Sequence, residues 1–222
     1  MQNWIFNIRS RSFVLLTVSF LLITAIVYSG LTESFDQSVV LFFSENVGNS
    51  TLDILVQSVN ESSDAFTMLM FGIIILVIPK TRRIGITLMI LIVISTLLTG
   101  YIKCGVDRDR PDFEYEGTPF PLSISQDTYA LFCEGGNNAS YPSGHAARSM
   151  IFAILFGYAL SHRFPRGAYL MLLYPVMVSL SRIYVLQHYP MDVIGGAVIG
   201  MMLAGVLAKR TKLYKMFDSS KT

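Results

Sequence analysis

Long apolar runs alternate with short polar stretches along this chain. Phe13 to Leu31 contains no charged residue. As a helix it is long enough to cross a hydrocarbon core of about 30 Å. Further apolar runs fall at about 65–79, 84–102, 143–160, 168–185 and 190–208. The pattern predicts an all-α polytopic membrane protein: a bundle of six transmembrane helices with short interfacial helices, forming one domain over residues 1–222. No internal repeat, low-complexity tract or interdomain linker breaks that reading. A basic start before an apolar run also describes a signal peptide, but no Ala-x-Ala cleavage pattern follows and the run is long for one, which favours a retained first helix.

The stretches between the runs differ in kind. Residues 32–64 carry Glu33, Asp36, Glu45, Asp53, Glu61 and Asp64 and no Lys or Arg. Within them Phe35 to Val47 is partly apolar, which suits a helix lying along the interface or packed on the bundle. Residues 103–142 form a long polar loop with Pro111, Pro119, Pro121 and the pair Gly135-Gly136. That density of Pro and Gly argues against regular structure, and a loop of this length is usually functional or disordered.

Composition strengthens the membrane reading. The 222 residues are 52% hydrophobic and 14% charged, where soluble domains carry roughly 25% charged residues. The net charge of +2 says little, but the placement of charge says more. Six spans put both termini and the turns at 80–83 and 161–167 on one side. That side holds Arg9, Arg11, Lys80, Arg82, Arg83, Arg163, Arg166, Lys209, Arg210, Lys212, Lys215 and Lys221, 12 of the 17 basic residues, and of the 15 acidic residues only Asp218. The positive-inside rule makes it the cytoplasmic side of a cell membrane.

The five remaining basic residues, Lys103, Arg108, Arg110, Arg148 and Arg182, fall in or beside three polar islands on the other side. A cation there is disfavoured unless something holds it. A shared anion would do so. Pairing with Asp107, Asp109 or Asp112 is the plainer account for Arg108 and Arg148.

The first island is Lys103 to Pro111. Lys supplies a compact charge and Arg a planar fork that fits two phosphate oxygens, although cationic helix ends are common. The second is Tyr141-Pro-Ser143-Gly144-His145, opening the fourth span. Ser143 suits an N-cap and Gly144 lets a ligand approach the backbone. Free N–H groups at a helix N-terminus bind anions. His145 in the first turn is placed either to protonate a leaving oxygen or merely to sit at the interface.

The third island is Ser181-Arg182 through His188 to Asp192. His188 and Asp192 are four residues apart, one turn if the sixth span begins near Tyr189. That spacing lets the carboxylate engage one imidazole nitrogen and aim the other. In this reading His188 attacks phosphorus, Asp192 orients it and Arg182 holds the phosphate. A metal held by His145, His188 and Asp192 competes, but two Arg and one Lys in the same place favour a tetrahedral anion over a cation.

Lys-x6-Arg-Pro (103–111), Pro-Ser-Gly-His (142–145) and Ser-Arg-x5-His-x3-Asp (181–192) together resemble the three-part signature of the type 2 phosphatidic acid phosphatase superfamily. The motifs cover about 26 residues, complete and in order. The layout looks like the bacterial and archaeal membrane branch, with its phosphatidylglycerophosphate and undecaprenyl diphosphate phosphatases. The resemblance implies a metal-independent lipid phosphatase that needs no cofactor. His188 is then the nucleophile, forming a phosphohistidine, and Asp192 fixes its tautomer. His145 serves as general acid and then as the base that activates water. Lys103, Arg110, Arg182, Ser143 and the Gly144 amide hold the phosphoryl oxygens. Arg148 lies outside the signature and either supports these groups or touches substrate.

The partners expected are a membrane lipid phosphate and the bilayer, with no nucleic acid. An isoprenoid diphosphate or phosphatidylglycerophosphate suits the outer-face site. A phosphotransferase using the same pocket, or a non-catalytic lipid-phosphate binding or transport protein, are the alternative readings. Vanadate-dependent haloperoxidases share this kind of pocket but are soluble. Phe113, Tyr115, Phe120 and Tyr129 either cover a lipid or pack the long loop onto the bundle. Cys104 and Cys133 both fall on the outer side, where an oxidising compartment permits a disulfide beside Lys103. Sequons at Asn49, Asn60 and Asn138 matter only in a glycosylating source.

Overall fold

The computed structural model describes residues 4–46, 50–115, 133 and 138–217. The first apolar run forms α1 (Arg11–Tyr28), capped by the Ser10 hydroxyl, which accepts the Phe13 amide at 3.1 Å. Its side chains Leu15, Leu21 and Leu22 are exposed, and among its residues only Val27 is buried. A helix so apolar and so uncovered is stable against lipid rather than water.

Residues 32–64 are largely helical, as α2 (Glu33–Asn46) and α3 (Ser50–Ser62). Their polarity is inverted. Asp36, Asp53, Gln57 and Asn60 are buried, while Phe35, Phe42, Ile54 and Leu55 are exposed. Such an arrangement opposes folding in water but suits an apolar surround whose polar groups satisfy one another inside.

The second expected span is shorter than its sequence suggested. α4 (Ala65–Val77) has 13 residues, about 20 Å of helix at 1.5 Å per residue. It meets α3 at a 61° bend, and the two together are apolar and long enough for one broken span. Asp64 makes the break, since its carboxylate accepts the Phe66 amide at 2.8 Å and so starts a new helix.

The remaining elements are α5 (Arg82–Val106), α6 (Gly144–Ser161), a 3-10 helix (Gly167–Leu172) leading into α7 (Leu173–Tyr184), and α8 (Pro190–Arg210). Each lies within a few residues of its predicted run. Among the described residues there are no strands; one backbone pairing joins Asp109 to Ala139. Four helical stretches are by themselves long and apolar enough to cross a membrane: Arg11–Tyr28, Arg82–Val106, Gly167–Tyr184 and Pro190–Arg210. The bent α3–α4 pair makes a fifth. α6 is not among them; it carries His145 and Arg148 in its first turns. The protein is therefore a membrane protein that is all-helical among the described residues, with four or five such spans there.

Met68, Leu88, Leu91, Ile92, Ile151 and Leu155 form the centre of the apolar core, where α4, α5 and α6 meet. α8 closes on α6 through glycine. A Cβ on Gly196 would lie 2.2 Å from the Ser143 carbonyl oxygen, and one on Gly200 would lie 2.3 Å from that of Ala147. Small residues let two helix backbones approach this closely. The contact sets the start of α6 against the first turns of α8, and the polar islands with them.

Gly196→Ala is expected to force the two helices apart and cost about 1–3 kcal/mol. Gly105→Ala, with open space around its Cβ, is the control and should leave the melting temperature unchanged or slightly raised. Thermal unfolding of the purified protein in detergent checks this; equal melting points for both variants would contradict the packing described.

Candidate active site

The three islands meet at one end of the bundle because α5 and α7 end where α6 and α8 begin. Lys103 lies in the last turn of α5 and Arg182 in the last turn of α7. Cations are favoured at helix C-termini, where carbonyl oxygens carry partial negative charge. Ser143 caps α6, its hydroxyl accepting the Ala146 amide at 3.4 Å, and Gly144 opens the helix. His145 follows in the first turn. The Ser143 N–H in turn donates to the Asp192 carbonyl at 2.9 Å. This bond ties the second island directly to the third.

The turn from α7 to α8 is built to bring Arg182 and His188 together. Leu186 adopts φ +57°, and the Gln187 N–H returns to the Arg182 carbonyl at 3.1 Å. The Leu186 N–H reaches the Ile183 carbonyl at 2.9 Å. These two bonds close the helix as glycine usually does at such a site. Leu186 accepts the left-handed conformation while its side chain is buried with Val40 and Tyr189.

His188 and Asp192 do not share a helical turn. α8 starts at Pro190, so His188 precedes the helix while Asp192 is its third residue and caps it. The Asp192 Oδ2 accepts the Tyr189 N–H at 2.8 Å and stands 3.5 Å from His188 Nδ1, close to the ring but longer than a good hydrogen bond. Asp192 Oδ1 accepts from Arg108 at 2.7 Å, and the same guanidinium donates to Asp36 at 2.7 Å.

Lys103, Arg110 and Arg182 all lie close enough for their charges to act on both the His145 and His188 rings. Lys103 Nζ donates to the Ala139 carbonyl and Arg110 to the Gln187 side-chain oxygen. Arg182 donates to the Asn60 side-chain oxygen at 2.8 Å, and Arg148 to the Ser63 carbonyl at 2.9 Å. These oxygens aim the cations. Burial, and after it the positive charges of Arg182, Lys103 and Arg110, hold His188 well below its ordinary value. The ring is therefore neutral and its lone pair is available. Among the described residues no group of three or more His, Cys, Asp or Glu side chains is placed to hold a metal ion; Asp192 is already engaged by Arg108 and the Tyr189 amide.

All eight residues singled out in the three motifs, Lys103, Arg110, Ser143, Gly144, His145, Arg182, His188 and Asp192, sit in this assembly. Arg108 is paired as expected, but with Asp36 and Asp192 rather than its sequence neighbours. Sequence reasoning missed Asp36, Asn60, Ser63 and Gln187. Their only signal was polar residues recurring in the amphipathic stretch 32–64, and none at Gln187. Asn60 is buried against Arg182, which removes it as a glycosylation site in the folded protein.

Phe113 packs beside Val40, Leu186 and Tyr189. The Tyr115 hydroxyl donates to Asp53 at 3.0 Å. For these two aromatics the loop-packing role is the one observed. Phe120 and Tyr129, the turn residues Pro119, Pro121, Gly135 and Gly136, the sequon at Asn49, and Asp218 and Lys221 lie outside the described residues. Cys104 and Cys133 form a disulfide one residue from Lys103.

Comparison with known proteins gives a consistent result. Residues 84–214 match the family described as the PAP2 superfamily. The chain is 29% identical over 156 residues to an undecaprenyl-diphosphatase of Sulfolobus acidocaldarius, covering 70% of this chain and 68% of that protein. It is 30% identical over 137 residues to a lipid A 1-phosphatase of Rhizobium johnstonii, covering 60% of this chain and 52% of that one, so it spans about half of that relative's length. Its fold matches the crystal structure of a transmembrane PAP2-type phosphatidylglycerolphosphate phosphatase from Bacillus subtilis with a TM-score of 0.69, at 21% identity, over 94% of this chain and 98% of that one.

Titration of the denatured, unreduced protein should find no free thiol, and two after reduction. Cys133→Ser should lower stability by about 2–4 kcal/mol. Two free thiols before reduction would contradict the pairing of Cys104 with Cys133.

Proposed function

The chain belongs to the PAP2 superfamily, and from that membership we propose that it is a lipid phosphatase that works through a phosphohistidine on His188. The observation that carries the reading is the convergence of Lys103, Arg110 and Arg182 on two imidazoles, His145 and His188. Three cations at fixed positions around a neutral nucleophile suit a phosphoryl group, whose charge spreads over its equatorial oxygens in the transition state.

Asp192 stands at Nδ1 of His188, which leaves Nε2 to attack. In the first step the Nε2 lone pair forms a bond to phosphorus as the bond to the leaving oxygen breaks. His145, which enters the step protonated once the phosphate anion lies beside it, gives its proton to that oxygen and is left neutral. Nδ1–H stays on the ring, and the developing positive charge is met by the Asp192 carboxylate. In the second step His145 takes a proton from water, the resulting hydroxide attacks phosphorus, and the His188 nitrogen leaves with its electron pair. Lys103, Arg110, Arg182 and the amide at Gly144 hold the phosphoryl oxygens throughout, with Ser143 fixing the helix start. This chemistry asks for no metal: the cations supply the charge.

The substrate is a membrane lipid carrying a phosphate monoester or diphosphate, and we favour an isoprenoid diphosphate, with phosphatidylglycerophosphate next. The membrane setting and the similarity to an undecaprenyl-diphosphatase support that choice. We count six crossings, α6 included, in a single domain. The basic turns at Lys80 to Arg83, Arg163 to Arg166 and Lys209 to Lys212 then face the cytoplasm. Both termini lie on that side and the catalytic cluster on the other, where a lipid head group enters with its chains still in the bilayer.

Purified protein in detergent, with EDTA, should release phosphate from undecaprenyl diphosphate faster than from phosphatidylglycerophosphate, phosphatidate or lipid A. His188→Ala should reduce the rate by at least about a thousandfold. Phosphate appearing on a second lipid rather than free in solution would identify a transferase. Binding without turnover would overturn the enzymatic reading.

A further inference from the structure

Arg108 and Asp36 lie outside the phosphate cluster itself, yet Arg108 is ion-paired with one of its members, Asp192, at 2.7 Å. Asp192 is fully buried. One of its oxygens faces His188 and the Tyr189 amide, and the other is bound by Arg108 at 2.7 Å. Arg108 is in turn gripped by Asp36 Oδ2 at 2.7 Å, and its guanidinium lies 4.2 Å from the centre of the Tyr189 ring. Asp36 Oδ1 accepts the Met191 N–H at 3.1 Å. The contacts close a ring: Asp36, the first turn of α8, Asp192, Arg108 and back to Asp36. Every member is held on two sides.

Building on the reading of His188 as nucleophile, we propose that Asp36 and Arg108 are positioning residues for the reaction, with Asp36 fixing Arg108 and Arg108 fixing the Asp192 carboxylate that orients His188. A carboxylate with one oxygen pinned by a planar fork cannot rotate about its last bond, so the second oxygen keeps its aim at Nδ1. Lys at 108 would supply charge without a fork spanning two carboxylates. Asp36 lies on α2, outside the segment 84–214 that matches the family. The N-terminal helices therefore contribute to catalysis and do more than anchor the chain.

Arg108 and Arg110 also divide the work of one short segment. Asp109 between them pairs with Ala139 in an extended conformation, which sends residues 108 and 110 to the same face. Both reach the stretch 187–192, where Arg110 meets Gln187 and Arg108 meets Asp192. Asp36 holds the second guanidinium on the carboxylate and away from the phosphate.

The test uses the full chain in detergent with farnesyl diphosphate as substrate, reading kcat, KM and melting temperature. Asp36→Asn and Arg108→Gln should each lower kcat about 10–100-fold while KM stays within about threefold. Arg108→Lys should recover only part of the loss. In an Asp192→Asn background, adding Asp36→Asn should cost less than about twofold more, because both changes act through the same carboxylate. A purely structural tie would lower the melting temperature and leave kcat per folded molecule at the wild-type value; an unchanged kcat, or a full further loss on adding Asp36→Asn in the Asp192→Asn background, overturns the proposal. Should His188→Ala stay active, the nucleophile reading falls and this proposal with it. Should His188→Ala be dead and Asp36→Asn run at the wild-type kcat, only the positioning role falls.

Discussion

Cations held at one end of an apolar helix bundle are the constraint on which this structure turns. Lys103 is 1% exposed, Arg148 3% and Arg182 7%. A charge taken out of water costs several kcal/mol unless it is paired or hydrogen-bonded. The fold meets that cost locally. Lys103 and Arg182 lie in the last turns of α5 and α7, and neutral oxygens of Ala139, Asn60, Gln187 and Ser63 each accept from one of the cations. These contacts keep the groups in place, where the charges of Lys103, Arg110 and Arg182 act on both imidazoles. An anion is what such a field binds.

The N-terminal helices make this possible. With polar residues turned inward and apolar ones outward, α2 and α3 bring Asp36 to Arg108 and Asn60 to Arg182 while offering Phe35, Phe42, Ile54 and Leu55 to their surroundings. Asp53 accepts the hydroxyls of both Tyr115 and Tyr184, at 3.0 and 2.8 Å. The loop after α5 and the end of α7 are thereby fastened to the same helix. The close approach of α8 to α6 at Gly196 and Gly200 does the rest, bringing Ser143 within one hydrogen bond of Asp192.

Much of this was legible in the sequence because membrane spans and catalytic motifs are local signals. The uncharged run from Phe13 and the long run ending at Lys103 became helices near their predicted bounds, since hydrocarbon thickness fixes how long such runs must be. The motifs were readable because phosphate chemistry demands particular side chains. What escaped was long-range or inverted. Asp36 and Asp192 are 72 and 84 residues from Arg108, and nothing near Arg108 names them. α2 read as a helix along the interface or packed on the bundle, but α3 was not foreseen and the burial of their polar faces, the reverse of the usual rule, hid both helices' part in the cluster. Asp64 caps α4 at a sharp bend from α3, a helix the expected second span did not include, and Leu186 took a conformation that residue type seldom adopts. His188 and Asp192 had the spacing of a helical turn, yet the helix began between them.

The central claim is that phosphorus passes through His188. The most direct measurement is to mix the protein with a lipid diphosphate labelled in its terminal phosphate, quench within milliseconds in base and look for label on the chain. A base-stable, acid-labile adduct should form on His188, decay at a rate compatible with turnover and be absent from His188→Ala. Label on another residue, or turnover by the wild type with no adduct at any time, would contradict it.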